Sequence, residues 1–214
     1  GLNVAASSIL HCSEAPMLIT HLGKSPQVDP SAWVAPDATL CGDVHIGPEC
    51  RVGYGARLVA EGAPLTLGEQ CIVMENAVLR SQEGHALTLG ANCLVGPQAH
   101  IVGASIGNGV FLATGCSVFH GAKLGDGVEV RIHGVVHIKT VLAAGTTVPI
   151  GWVAVGDPAQ ILSPLEHETI WAAQKPLNFP AYVYGVDRNE DEVKRRITKV
   201  RADLMRRHKD DTQA

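Results

Sequence analysis

The stretch Leu67-Gly68-Glu69-Gln70-Cys71-Ile72-Val73-Met74-Glu75-Asn76-Ala77-Val78-Leu79 decides the fold. Its large aliphatics Leu67, Val73 and Leu79 stand six apart, and the small residues Cys71 and Ala77 follow the first two by four. Neither the 3.6-residue period of a helix nor the simple alternation of a strand produces that spacing. Working outward, the same register holds at Val28, Val34, Leu40, Ile46, Val52 and Leu58 on one side. On the other it holds at Leu89, Val95, Ile101, Ile106, Leu112, Val118, Leu124, Val130, Val136, Leu142 and Val148. Short strands that turn sharply every six residues need a large and a small inward side chain in alternation, and three such hexads close one triangular coil. The chain is therefore predicted to be an all-β parallel solenoid of roughly seven coils between Val28 and Val155, followed by C-terminal α-helices.

Composition agrees. Hydrophobic residues make up 46% and aromatics 4% of the 214 residues, which suits a narrow core of Val, Leu, Ile and Ala. The net charge of −4 gives no basis for a nucleic-acid or anionic-membrane partner. No apolar run approaches the roughly 18–20 residues of a membrane-spanning helix, and the default location is the cytosol. Many of the 23 glycines and 12 prolines fall at expected hexad corners. Cys50, Cys71, Cys93 and Cys116 occupy the small inward position, so they read as buried core thiols. No C-x-x-C pair suggests structural zinc.

Three regions emerge. Residues 1–16 read as an extension or a cloning remnant, because Met17 followed by Leu18-Ile19-Thr20-His21-Leu22 is a natural start. Residues 17–162 form the solenoid and 163–214 a helical appendage packing on it. Ser163, Pro164 and Glu166 resemble a capping box for a helix running through Gln174. An irregular aromatic crossing follows over 175–186, then a helix from Glu190 to Arg207 with the apolar stripe Val193, Ile197, Val200 and Leu204. Its basic residues, Arg201 among them, read as a solvated face partly paired with Glu190, Asp191, Glu192 and Asp203. Insertions interrupt the hexads at Val59–Thr66 and Arg80–Thr88, and a one-residue deletion separates Ile101 from Ile106. All three fall at one edge, which marks it as the candidate functional corner.

The segments around Leu67-Gly68, Leu89-Gly90, Val95-Gly96, Ile106-Gly107 and Gly156-Asp157-Pro158-Ala159 resemble the γ-class carbonic anhydrases, within the hexapeptide-repeat proteins. The resemblance covers about residues 28–162 and includes the insertion after Leu79. It implies a left-handed coil, a homotrimer, and one metal ion held between subunits by three histidines, with a metal-bound water attacking carbon dioxide. At the corresponding positions this chain carries Arg80, Pro97 and Val102. It also has Val59-Ala60-Glu61 where the family has Arg-Gly-Asp, Met74-Glu75 where it has Gln-Asp, and Glu83 near a proton-transfer carboxylate. The expectation is a γ-carbonic anhydrase-like trimer without metal or hydratase activity, acting as a scaffold, a small-molecule-binding protein or a divergent enzyme.

Arg80 requires carboxylate partners on an apolar corner, and Glu61, Glu75 and Glu83 are in reach. It serves either as a structural ion pair or as an anion clamp with His100 nearby. Candidate acid–base residues are Glu75, Glu83, His85 and His120. His100, His120 and His137 are expected to point outward or sit in turns. No cofactor is expected, and a rebuilt metal site through His85, His100 and His120 is the alternative. A second function class is an acyl-CoA-dependent acyltransferase with His85 or His120 as general base.

Overall fold

The structure, a computed structural model, describes residues 15–214. The expected extension over 1–16 lies outside the described residues except for its last two. The strand Met17–Thr20 pairs in parallel with Thr39–Cys41. The same face continues through Arg57–Glu61, Val78–Gln82, His100–Val102, Ser117–Val118, Val135–Val136 and Val153–Val155. Antiparallel strands close both ends of this 10-stranded sheet, Gln160–Leu162 on the last rung and Thr212–Gln213 on the first, and two 7-stranded sheets form the other faces. The result is a left-handed prism of about eight coils. It starts a coil earlier than the Val28 reading, because Met17, Leu18 and Ile19 pair with Thr39, Leu40 and Cys41.

The period-six register fills the interior. Leu40, Leu58, Leu79, Ile101, Val118 and Val136 stand in line on successive rungs, each with no exposed surface. Burying each such side chain contributes about 1.5–3 kcal/mol relative to leaving it in water. Not every corner uses glycine: Gln70, Asn76, Asn92 and Gln98 take φ between 56° and 59°, a left-handed conformation that Asn tolerates best among non-glycine residues.

Cys50, Cys71, Cys93 and Cys116 are buried and unpaired. The first three donate their thiol protons to the Gly68, Gly90 and Gly107 carbonyls at 2.9, 3.0 and 3.1 Å. Burial pushes the Cys116 thiol up to about 12. All four thiols are expected to resist an aromatic disulfide reagent in the native protein and to react together after denaturation. Fast native labelling of any of them, read by mass spectrometry, would contradict the inward register.

Three helices follow: α1 (His167–Gln174), α2 (Phe179–Tyr184) and α3 (Val193–Arg206). The Ser163 N–H does donate to Glu166 Oε2 at 2.9 Å, but that bond closes a turn ahead of α1, which begins only at His167. The crossing expected to be irregular is a 3-10 turn plus α2. Pro180 occupies the first turn of α2 and Gly185, at φ 67°, its left-handed end. No helix among the described residues is long and apolar enough to cross a membrane.

Candidate functional site

The insertions at 59–66 and 80–88 lengthen two neighbouring strands before the chain turns at Gly62 and Gly84. Arg57–Glu61 and Val78–Gln82 are each five residues long and pair along their whole length. Arg80 therefore stands between Val59 on one rung and Val102 on the next, with Glu61 opposite Gln82.

Glu61 is 5% exposed and is the centre of the corner. Arg201 grips it through two bonds, Nη1 to Oε2 at 2.7 Å and Nη2 to Oε1 at 3.1 Å. His208 Nε2 lies 3.1 Å from Oε1, and Arg80 Nη1 lies 3.6 Å from Oε2. Of the three carboxylates offered to Arg80, only Glu61 reaches it. Glu75 is exposed in a turn with no ion pair among the described residues, and exposed Glu83 lies 3.6 Å from Arg207.

Arg201 corrects the reading of a solvated basic face. Arg195, Arg196 and Arg206 do pair at the surface with Glu192, Glu190 and Asp203. Arg201, however, sits with Val193, Ile197, Val200 and Leu204 on the half-buried side of α3, and His208 continues that side. The spacing 197, 201, 204, 208 carried this signal, but the charge of Arg201 masked it.

His208 and Asp211 are tuned by the same cluster. Burial works against a charged His208, but its hydrogen bonds to Asp211 and Glu61 outweigh burial and raise its pKa. For Asp211 burial would raise the pKa, and the bonds from His21 and His208 lower it instead.

The histidine face is covered from above. His120 lies in a turn as expected, yet it is 6% exposed, with Tyr182 of α2 set against its neighbour Gly121. A Cβ added to Gly121, whose φ is 73°, would fall 2.2 Å from the Tyr182 hydroxyl. The His85 ring stands edge-on to His120 at 5.2 Å and to Tyr182 at 4.9 Å. Neither ring nitrogen of His120 has a protein hydrogen-bond partner. Burial, then the charges of His85 and His100, push its pKa down to about 4. Partial desolvation lowers the His85 and His100 pKa values too, although His100 keeps an exposed edge. His85, His100 and His120 do not form a converging donor set; the group that does converge among the described residues lies at the first coil.

No protein-family model matches the chain. It is 31% identical over 163 residues to gamma carbonic anhydrase 1, mitochondrial, of Arabidopsis thaliana, a match covering 76% of this chain and 59% of that relative. It is 25% identical over 111 residues to a carbonic anhydrase of Geobacillus kaustophilus, covering 52% of this chain and 61% of that one. The six-residue prism and these matches support the same reading. The chain is a γ-carbonic anhydrase-like hexapeptide-repeat protein. This γ-carbonic anhydrase-like chain spans about three fifths of the length of these two relatives. A hexapeptide transferase family protein from Anaplasma phagocytophilum, 23% identical, aligns over 87% of this chain and 97% of its own with a TM-score of 0.38, too low to carry an argument.

The donor chemistry of Arg80, Pro97 and Val102, where the resemblance would place the family's metal ligands, does not suit a divalent cation. The Arg80 guanidinium is permanently charged, has no lone pair to give and faces Glu61. Pro97 offers no donor atom, its ring nitrogen being a peptide amide, and Val102 is a hydrocarbon, 3% exposed. Repulsion of a divalent cation by Arg80 and the absence of donor atoms act in the same direction.

Proposed function

We propose that this γ-carbonic anhydrase-like protein is a homotrimeric scaffold in which an ion cluster replaces the intersubunit metal, and that it does not hydrate carbon dioxide. One observation carries the reading: buried Glu61 is engaged by Arg201, His208 and Arg80 at the corner where the family would place its cation. A carboxylate neutralised by two guanidiniums has no charge left with which to attract a metal or to shuttle protons. The apolar residues of α3 stay only half-buried although that side already rests on the chain's own prism, and this supports association with a second copy. Arg80 as an anion clamp is less favoured, because its guanidinium already faces a protein carboxylate. No observation favours acyl transfer, since His120, the buried candidate base, has no carboxylate to orient it.

Stopped-flow carbon dioxide hydration tests the reading on protein supplied in turn with zinc, cobalt(II) and iron(II). The expected rate equals the buffer blank in every case. A metal-dependent rate above the blank would sink the proposal. Light scattering at micromolar concentration is expected to give three times the chain mass, and a monomer would remove the trimer.

A further inference from the structure

The first coil holds a further set of chemistry-bearing residues, which shares His208 with the Glu61 cluster. His21 follows the strand Met17–Thr20, and Cys41 ends the next strand of the same sheet. His208 and Asp211 arrive from the far end of the chain, where Thr212–Gln213 pairs with that first strand. One donor atom from each of the four lies within 4.8 Å of all the others. His21 Nδ1 is 2.6 Å from Asp211 Oδ1, and His208 Nδ1 is 2.7 Å from Asp211 Oδ2. Cys41 Sγ is 3.7 Å from that same Oδ2.

We propose that His21, Cys41, His208 and Asp211 form a structural zinc site that fastens the C-terminal segment to the first coil. Two imidazoles, one thiolate and one carboxylate are a four-donor set of the kind Zn2+ accepts in tetrahedral geometry, with no position left open for substrate. A further contact points the same way. His208 Nε2 lies 3.1 Å from Glu61 Oε1, so Nε2–H donates to a buried carboxylate and the Nδ1 lone pair is left to face the cation. Metal-bound histidines are commonly oriented by such a carboxylate.

His21 and Cys41 are 2% and 3% exposed, while His208 and Asp211 keep a solvent edge through which an ion can enter. The two imidazoles now stack with planes 16° apart, so they must splay to aim both Nδ1 lone pairs at one ion. On binding, the Cys41 thiol proton and the protons held between the imidazoles and Asp211 leave to solvent or move to the outer ring nitrogen. The cation takes over the charge they carried. The ends it joins are distant in sequence, so closing them removes much chain entropy from the unfolded state.

Cobalt(II) titration of the chelator-stripped full chain tests the site. The expected result is one cobalt per chain at micromolar concentration, with tetrahedral visible bands and an intense thiolate-to-cobalt band in the near ultraviolet. Zinc should displace both. The charge-transfer band should vanish in Cys41→Val and persist in Cys116→Ala. No stoichiometric uptake, or an unchanged band in Cys41→Val, overturns the proposal. Should Cys41→Val fail to fold, X-ray absorption on the zinc-loaded wild type decides instead. One sulfur with three nitrogen or oxygen neighbours supports the site, and any other sulfur count overturns it. Because the readout is the metal's own spectrum, failure here is distinct from the appearance of hydratase activity.

Discussion

Glu61→Gln is expected to destabilise the protein by about 3–5 kcal/mol, the usual effect of removing one partner from a buried ion pair and leaving the other charge uncompensated. Glu61 has 5% of its side chain exposed, against 24% for Arg201 and 27% for Arg80. With the carboxylate neutral, two guanidiniums would face one amide, which can accept through only one oxygen. The cheapest relief is for Arg201 and His208 to swing into water, taking α3 off the prism. Arg201→Ala should cost less, since Glu61 keeps Arg80 and His208. Urea denaturation at neutral pH measures both variants, and protease cleavage within 193–214 reports release of the helix. A Glu61→Gln protein within 1 kcal/mol of wild type would mean that the cluster does not hold the appendage.

His120→Leu is expected to make the protein less sensitive to acid. The His120 pKa falls from 6.5 to about 4 in the folded protein, chiefly through burial. An unfolded chain therefore binds this proton below pH 6.5, while the folded one resists until about 4. Stability is full above the unfolded value and drains away as pH falls between the two. Each unit is about 1.4 kcal/mol, so His120 alone should cost roughly 2 kcal/mol between pH 6.5 and 5. Leucine is close in size, has no proton to gain and leaves no unpaired ring nitrogen. The stability gap between variant and wild type should thus move in favour of the variant by that amount from pH 7 to pH 5. Asp211 also weakens the fold on acidification, because its depressed pKa is a native-state gain lost as pH falls, but it acts in both proteins and cancels in the comparison. Identical pH slopes for the two would show that His120 is hydrated and titrates normally.

Much of the prism was legible in one dimension because each coil repeats the same demand. Leu58, Leu79 and Ile101 must point inward on adjacent rungs, and a six-residue turn leaves no other register. The thiols of Cys50, Cys71 and Cys93 followed from the same rule. The limits of α1 and α3 moved by a few residues, since capping turns and helix ends depend on local hydrogen bonds that periodicity does not report. For the candidate corner, the extended strands and Arg80 were visible as breaks in the repeat, and Glu61 was one of three possible partners. Choosing among the three required knowing which carboxylate lies on the neighbouring rung.

Arg201, His208 and Asp211 were beyond the reach of the sequence for a different reason. They sit 140 or more positions from Glu61 and 160 or more from Cys41, and no repeat links the helical tail to the first coil. The amino-acid pattern alone determined the prism, because short-range alternation of large and small side chains is a local constraint applied coil after coil. Only the tertiary structure decided which charges meet, which histidine loses its water and where four metal-binding side chains gather, because each depends on where α2 and α3 come to rest on the finished surface.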